Sequence, residues 1–429
     1  MIHSYLKRLV DSRLARNVSW IFFGNVLHAV LSFGLNLYIA RVLSLNDNGM
    51  LSYASSWIAF FSAVGTLGFN GIISREFSKN EGKADELLAS CIAMRVAFSV
   101  IAVMLLQFIV HYASPGESDL HKIVLYQSLS LLFTSFDLLI YWYRYKDRAK
   151  VTAAYRLIAF FCSAFFRVLA ISIFRSTAGY ALGVAIESLF FMGFLVINYY
   201  NTDHPKISIN YCTIGSMLSM SYPFILSAIL STLYGQADKI MLKSMMDNNA
   251  VALYSASTTI AGLLVIIPTT LIEGFRPDIM DAKLVDERLY QRRLSQLYSV
   301  IFWGCFIYGV VVSTFPKQII YILYGSKYLE ASQSLSLIVW YSSFSYFGAI
   351  NNVYMVAEER QKWVQVTTLT GAIANIILNM ALIPRFGIVG AAVASLVTQI
   401  ISNFALMALI KDLRKGFKLM IQGIFLRWL

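Results

Sequence analysis

Apolar residues fall in blocks of about twenty along this chain, separated by short stretches rich in Lys, Arg, Asn and Asp. Twelve such blocks can be marked: 18–40, 50–73, 87–111, 122–143, 152–174, 178–200, 214–237, 250–273, 296–316, 331–356, 364–383 and 388–410. Each is long enough to cross a hydrocarbon core of about 30 Å as a helix. Backbone polar groups cannot stay unpaired in lipid, and the ten-residue alternation of a barrel strand is missing, so the blocks predict helices. The expected fold class is an all-α polytopic membrane protein with twelve transmembrane helices. The first block follows a basic arm and has no small-residue cleavage site, so it is expected to remain as a span.

One plan occurs twice. From Ser221 to Ser257 an apolar segment containing Pro223 ends in Asp238-Lys239, passes a turn with Asp247, Asn248 and Asn249, and restarts at Tyr254-Ser255-Ala256. From Leu35 to Ser56 the same order recurs, with Ser44, Asp47 and Asn48 opposite Ser244, Asp247 and Asn248. The chain therefore reads as two halves, 1–200 and 214–410, joined by a linker at 201–213. Internal repeats of this kind recur in membrane transporters. The tail 411–429 is basic on one side and apolar on the other. It reads either as a helix lying along the inner leaflet or as an ordinary basic tail with an apolar end.

Composition agrees with a membrane assignment. Hydrophobic residues make up 58% and charged residues 14%, and mean hydropathy is +0.64, whereas a soluble domain is closer to half apolar and a quarter charged. The net charge of +12 is spread among the loops, which fits the positive-inside rule better than nucleic-acid binding. With the N-terminus inside, 24 Lys and Arg fall on the inner side and 8 on the outer, leaving Arg95, Arg156 and Arg167 within spans. That three-to-one bias places both termini in the cytoplasm. Cys91, Cys162, Cys212 and Cys305 have no CxxC or metal-binding spacing and read as small buried apolar side chains.

The candidate chemistry lies in the ionisable groups at membrane depth, which are costly and mark pathways or internal ion pairs. Arg156 and Arg167 are eleven residues apart in the fifth block, about three turns and about 16 Å along one helix face. They either line a wet cavity that holds an anion or snorkel to opposite interfaces. Glu187 sits near the middle of the sixth block with no basic neighbour in sequence. It must pair with Arg167 or Arg95, or carry a proton. Arg95 and Asp137 share a depth and are expected to pair. His28, midway along the first block, reads as a hydrogen-bonded packing residue or a coupling group. Asp238 reads as a cap at the outer end of the seventh block, with a coupling role as the alternative. Asn25, Asn36, Asn351, Asn352, Asn375, Asn379 and Asn403 are expected to join helices or line a wet cavity. GxSxG, HExxH and P-loop motifs are absent, and no outer loop is large enough to hold a catalytic domain. No enzyme, cofactor or metal site is expected.

Several local patterns resemble a known family. Ile39-Ala40-Arg41-Val42-Leu43-Ser44 followed by Gly49 is similar to the turn after its first span. Tyr141-Trp142-Tyr143-Arg144 resembles its junction between spans four and five, and Tyr324-Gly325-Ser326-Lys327-Tyr328 with Ala331 its segment before span ten. Pro384-Arg385-Phe386-Gly387-Ile388-Val389-Gly390-Ala391-Ala392 resembles the motif joining spans eleven and twelve. The family is the polysaccharide-transporter branch of the multidrug/oligosaccharidyl-lipid/polysaccharide exporter superfamily, the O-antigen flippases. The resemblance implies two six-helix bundles around a central cavity open to one side at a time. It also implies a bacterial inner-membrane flippase acting in lipopolysaccharide or related polysaccharide biosynthesis. The implied cargo is an oligosaccharide on undecaprenyl diphosphate. Membrane lipids, a polysaccharide polymerase and chain-length proteins are the implied partners, and nucleic acid is not. Arg95, Arg156 and Arg167 suit a diphosphate head; Glu187, Asp137, His28 and Asp238 are the candidate coupling or ion-pair groups. The alternative is a multidrug exporter of the same superfamily, whose cavity would be dominated by carboxylates.

Overall fold

The computed structural model describes residues 13–79, 81–204 and 208–427. Lys7 and Arg8 of the basic arm, Lys206 of the expected linker and the last two residues of the tail lie outside the described residues. Among the described residues every regular element is a helix. The first half holds α1 (Arg13–Val42), α2 (Leu45–Gly65), α3 (Ile73–Lys79), α4 (Ala84–Ala113), α5 (Ser118–Thr134), α6 (Leu138–Tyr145), α7 (Ala149–Ser172) and α8 (Thr177–Asp203). Then follow α9 (Tyr211–Met245), α10 (Asn248–Ala261), α11 (Ile266–Val285), α12 (Glu287–Thr314), α13 (Pro316–Tyr324), α14 (Ala331–Ala357), α15 (Lys362–Ile400), α16 (Leu406–Leu409) and α17 (Arg414–Ile424). The chain divides into two compact units, Met1–Thr232 and Leu233–Leu429, so the division falls inside α9.

Among the described residues, eight helical stretches are long and apolar enough to cross a membrane, nine when α9 is included. One of them, Lys362–Leu409, has 48 residues, more than twice a bilayer core at about 1.5 Å per residue. Gly387 breaks it with φ 57° and ψ −133°, so it supplies the expected eleventh and twelfth spans. The two remaining blocks form α2 and α14, helices of 21 and 27 residues with more hydroxyl and amide side chains. Ile101, Met104, Leu105 and Phe108 on α4 and Ile307, Val310 and Val311 on α12 are exposed, as an apolar face turned to lipid requires.

The second span departs from its expected range of 50–73. It starts at Leu45 and stops at Gly65, because the chain turns through Leu67 and Gly68 with φ of 49° and 65°. A Cβ on Gly68 would lie 2.8 Å from Phe224 Cβ and 2.8 Å from the Ser221 carbonyl oxygen. Only glycine fits that left-handed turn at that distance. The repeated turns are also aligned differently in space than in sequence. Ser44 caps α2, accepting from the Asp47 N–H, and Asp247 caps α10, accepting from the Ala250 N–H. The structural repeat therefore pairs Ser44 with Asp247, while Ser244 lies inside α9.

In the first unit, Phe69, Phe77, Leu138, Trp142 and Leu195 form an apolar core. In the second, α11, α12 and α14 enclose Tyr298, Phe347 and Ile350. The tail joins this second core. Leu419 and Met420 of α17 are buried in it, and the Leu419 carbonyl accepts from Ser295 Oγ at 3.2 Å. Lys415 meets Glu287 at 2.6 Å and Glu358 at 2.9 Å, and Lys283 meets Glu358 at 2.7 Å. Burial pushes the Glu358 carboxyl up, but hydrogen bonds from Lys283 and Lys415 hold it below its usual value. Most of the tail is thus docked protein structure.

The Gly423 contact tests this docking. A Cβ there would lie 2.6 Å from the Ser295 carbonyl oxygen and 2.8 Å from Tyr298 Cβ, so Gly423→Ala must push α17 off α12 at a cost of about 1–3 kcal/mol. Gly304→Ala, on the same helix α12 with nothing within 4 Å of the new Cβ, should be neutral or slightly stabilising. Thermal unfolding of the purified protein in detergent should show a lower midpoint for Gly423→Ala alone. Equal midpoints would show that the tail is not held by this packing.

Candidate functional site

In the first unit four of the membrane-depth groups, His28, Arg156, Arg167 and Glu187, gather where α1, α7 and α8 meet. α7 and α8 each present one polar face among apolar ones, and α1 supplies His28. The Glu187 carboxylate on α8 accepts from His28 Nε2 at 2.8 Å, from Ser163 Oγ at 3.2 Å and from Arg167. Arg167 is 7% exposed. It also donates to the Gly183 carbonyl at 3.3 Å and lies over the Tyr180 ring. Gly183 makes room for it, since a Cβ there would collide with the Arg167 side chain. Between the two partners left open for Glu187, the fold chooses Arg167. His28 stacks edge-on against Phe160 at 5.2 Å, and its ring hydrogen bond joins it to the same carboxylate.

Arg95 pairs with Asp137, Nη1 to Oδ1 at 2.5 Å, and also donates to the Thr134 carbonyl at 3.3 Å. Asp137 lies in a single 3-10 turn, Ser135–Asp137, between α5 and α6, which breaks the fourth block beside Arg95. The pair forms as the shared depth predicts. Arg95 is 2% exposed, so its charge is already committed to a structural partner.

Arg156 is different. It donates to Asn25 Oδ1 of α1 at 2.7 Å and lies over the Phe191 ring of α8 at 5.1 Å, and among the described residues it has no carboxylate partner. From one face of α7, Arg156 thus reaches α1 and α8 and Arg167 reaches α8. A neutral amide and a ring face orient the Arg156 guanidinium without cancelling its charge.

In the second unit Asp238 is not a helix cap. α9 continues to Met245, carried past Asp238 by Ile240, Met241 and Leu242, where the apolar block had appeared to stop. Asp238 is 7% exposed and accepts from Tyr254 Oη at 2.6 Å, Asn379 Nδ2 at 2.6 Å, Asn375 Nδ2 at 3.0 Å and Ser395 Oγ. Asn375 and Asn379 share one face of α15, and Ser395 follows the Gly387 break. Their four-residue spacing was the available sequence signal, but their common partner lies 137 and 141 residues away. Asn351 accepts from Tyr298 Oη at 2.5 Å and donates to the Asn403 carbonyl at 2.9 Å, so it joins helices as expected. Asn379 Oδ1 is buried without a partner. The amides turn Nδ2 rather than oxygen toward Asp238, so four neutral donors stabilise the carboxylate charge. No group of three His, Cys, Asp or Glu occurs among the described residues. Cys162 is exposed, contrary to the expected burial, and Cys91 and Cys305 are buried.

The Arg167–Glu187 pair predicts strong coupling. Arg167→Met or Glu187→Met alone leaves its partner uncompensated and should cost on the order of 2–3 kcal/mol, below the ~3–5 kcal/mol of a fully buried pair because Glu187 keeps partial exposure. The double variant should recover at least half of the summed loss in detergent melting. Strictly additive losses would show that the two charges do not depend on each other.

A family model described as polysaccharide biosynthesis protein matches residues 14–273. The chain is 22% identical over 408 residues to a probable flippase, AglR, of Haloferax volcanii, covering 91% of this chain and 82% of that protein. Among solved structures, a lipid II flippase MurJ in an inward closed conformation matches with TM-score 0.68 at 15% identity, covering 92% of this chain and 91% of that one. An inward-facing multidrug resistance MATE family transporter of the MOP superfamily matches with TM-score 0.65 at 11% identity, covering 92% and 95%. The chain belongs to the polysaccharide biosynthesis protein family and has the fold of the multidrug/oligosaccharidyl-lipid/polysaccharide exporter superfamily.

Proposed function

We propose that this protein is a flippase for a lipid-linked oligosaccharide. The cargo is an undecaprenyl-diphosphate-linked repeat unit of a surface polysaccharide such as O-antigen. It moves from the inner to the outer leaflet of the cytoplasmic membrane by alternating access, with both protein termini in the cytoplasm. The observation that carries this reading is Arg156, a guanidinium at membrane depth held by Asn25 and Phe191 and, among the described residues, in contact with no carboxylate. Its remaining N–H groups form a fork that fits two oxygens of a phosphate. Family membership and the flippase-named relative support the same cargo class.

Arg95 and Arg167 take secondary places in this scheme because each already has a carboxylate. Arg167 can exchange Glu187 for the diphosphate once Glu187 takes up a proton, with His28 as the second group on that carboxylate. This gives Glu187 a coupling role. Asp238 is the corresponding candidate in the second unit, a buried carboxylate that can exchange its neutral donors for a proton or a cation. Multidrug export is the second reading, favoured by the fold likeness to a MATE transporter. An uncompensated arginine is an unfavourable host for a lipophilic cation.

Flipping of a fluorescent undecaprenyl-diphosphate oligosaccharide in proteoliposomes tests the proposal. Arg156→Gln should slow flipping at least tenfold, the loss of about 1.4 kcal/mol of phosphate contact, and Arg156→Lys should restore part of it. Under an imposed proton or sodium gradient, the parent should accelerate, and Glu187→Gln or Asp238→Asn should remove that response. Unchanged flipping in Arg156→Gln would sink the assignment of the phosphate site. Export of a cationic dye with no flipping would favour the second reading.

A further inference from the structure

α9 carries two charged residues side by side, Asp238 and Lys239, and both line a cavity of about 230 Å³ within the second unit. Asp238 is saturated by Tyr254, Asn375, Asn379 and Ser395. Lys239 is not its partner: among the described residues its ammonium makes no hydrogen bond and joins no ion pair. Lys239 follows the seventh apolar block, 214–237, in sequence, yet it lies on α9 six residues before the helix ends. The Asp238 charge acts on Lys239 across the same cavity. Its oxygens are taken by four donors, so the ammonium N–H groups are left without the acceptor that a ligand in the cavity can supply.

The walls narrow the class of anion. Tyr234, Tyr254 and Tyr341 supply ring faces, and Ser342 and Ser345 supply hydroxyls. The Tyr234 hydroxyl is buried without a partner. Ring faces pack against the C–H faces of a sugar, and hydroxyls both donate and accept, as sugar hydroxyls require. No arginine lines the cavity, so the forked donor that suits a phosphate is missing. One ammonium with unbonded N–H groups offers donors for one carboxylate. The volume is below the ~300–1,000 Å³ of drug-sized pockets, which fits one ring rather than a chain.

We propose that this cavity is a subsite for a single acidic sugar residue, whose carboxylate pairs with Lys239 Nζ while its ring rests among the tyrosines. The inference rests on the reading of the cargo as a glycan and adds that the glycan carries a uronic-acid type residue.

Calorimetric titration of the full-length protein in lipid nanodiscs with D-glucuronate, D-glucose and inorganic phosphate tests it. Glucuronate should bind at least tenfold more tightly than glucose, and phosphate should not displace it. Lys239→Met should lower glucuronate binding to the level of glucose, while Lys239→Arg, which keeps the charge, should retain part of the preference. If Lys239→Met fails to fold, the Lys239→Arg titration and the three-ligand comparison in the parent still decide. Equal binding of glucuronate and glucose would overturn the subsite. So would displacement by phosphate at equal concentration, which would make the cavity a simple anion site. Glucuronate binding in a parent protein that flips no lipid-linked glycan would overturn the proposed function and leave this subsite supported.

Discussion

A charge held among apolar helices must find a partner, and that constraint decides most of what is specific in this fold. A lone ion at membrane depth costs several kcal/mol or more. The first unit meets the constraint twice, with Arg95 on Asp137 and with Arg167 and His28 converging on Glu187. The second meets it without a cation, by aiming four neutral donors at Asp238. Each arrangement ties helices that apolar packing alone would leave free to slide. Gly183 and the 3-10 turn at Ser135–Asp137 are local consequences, one clearing space for a guanidinium and the other interrupting a span beside its partner.

Once these partners are assigned, Arg156 and Lys239 stand out among the described membrane-depth cations as making no direct contact with a carboxylate. Both are held in orientation or lined by aromatic rings and neutral polar groups, and neither touches a carboxylate that would cancel it. Structural charges are neutralised within the protein. In the proposed scheme the charges left over serve an anionic cargo, and their different surroundings divide a phosphate-like site from a sugar-like one.

The helices were legible from the chain because twenty-residue apolar blocks in lipid leave the backbone no alternative. The Arg95–Asp137 pair was legible because the two residues share a depth in consecutive spans. Glu187 was legible as a residue in need of a partner, but its choice of Arg167 over Arg95 was set by the packing of α7 on α8. The Asp238 cluster was hidden for two reasons. Three of its four donors, Asn375, Asn379 and Ser395, lie more than a hundred residues away, and Asp238-Lys239 imitates the polar end of a span although α9 runs on to Met245. The early stop of α2 was hidden too, because Leu67 and Gly68 look apolar in composition and reveal their left-handed turn only in the backbone.

The central claim is that the uncompensated charge of this protein serves an anionic lipid carrier. Native mass spectrometry of the purified protein, titrated with undecaprenyl diphosphate and with undecaprenol of the same chain length, tests it most directly. The two ligands share the hydrocarbon and differ in the diphosphate, so the ratio of their affinities reads the contribution of the charge. The account predicts that the diphosphate binds at least tenfold more tightly and that its advantage shrinks as salt is raised. Equal affinities at low salt would contradict it.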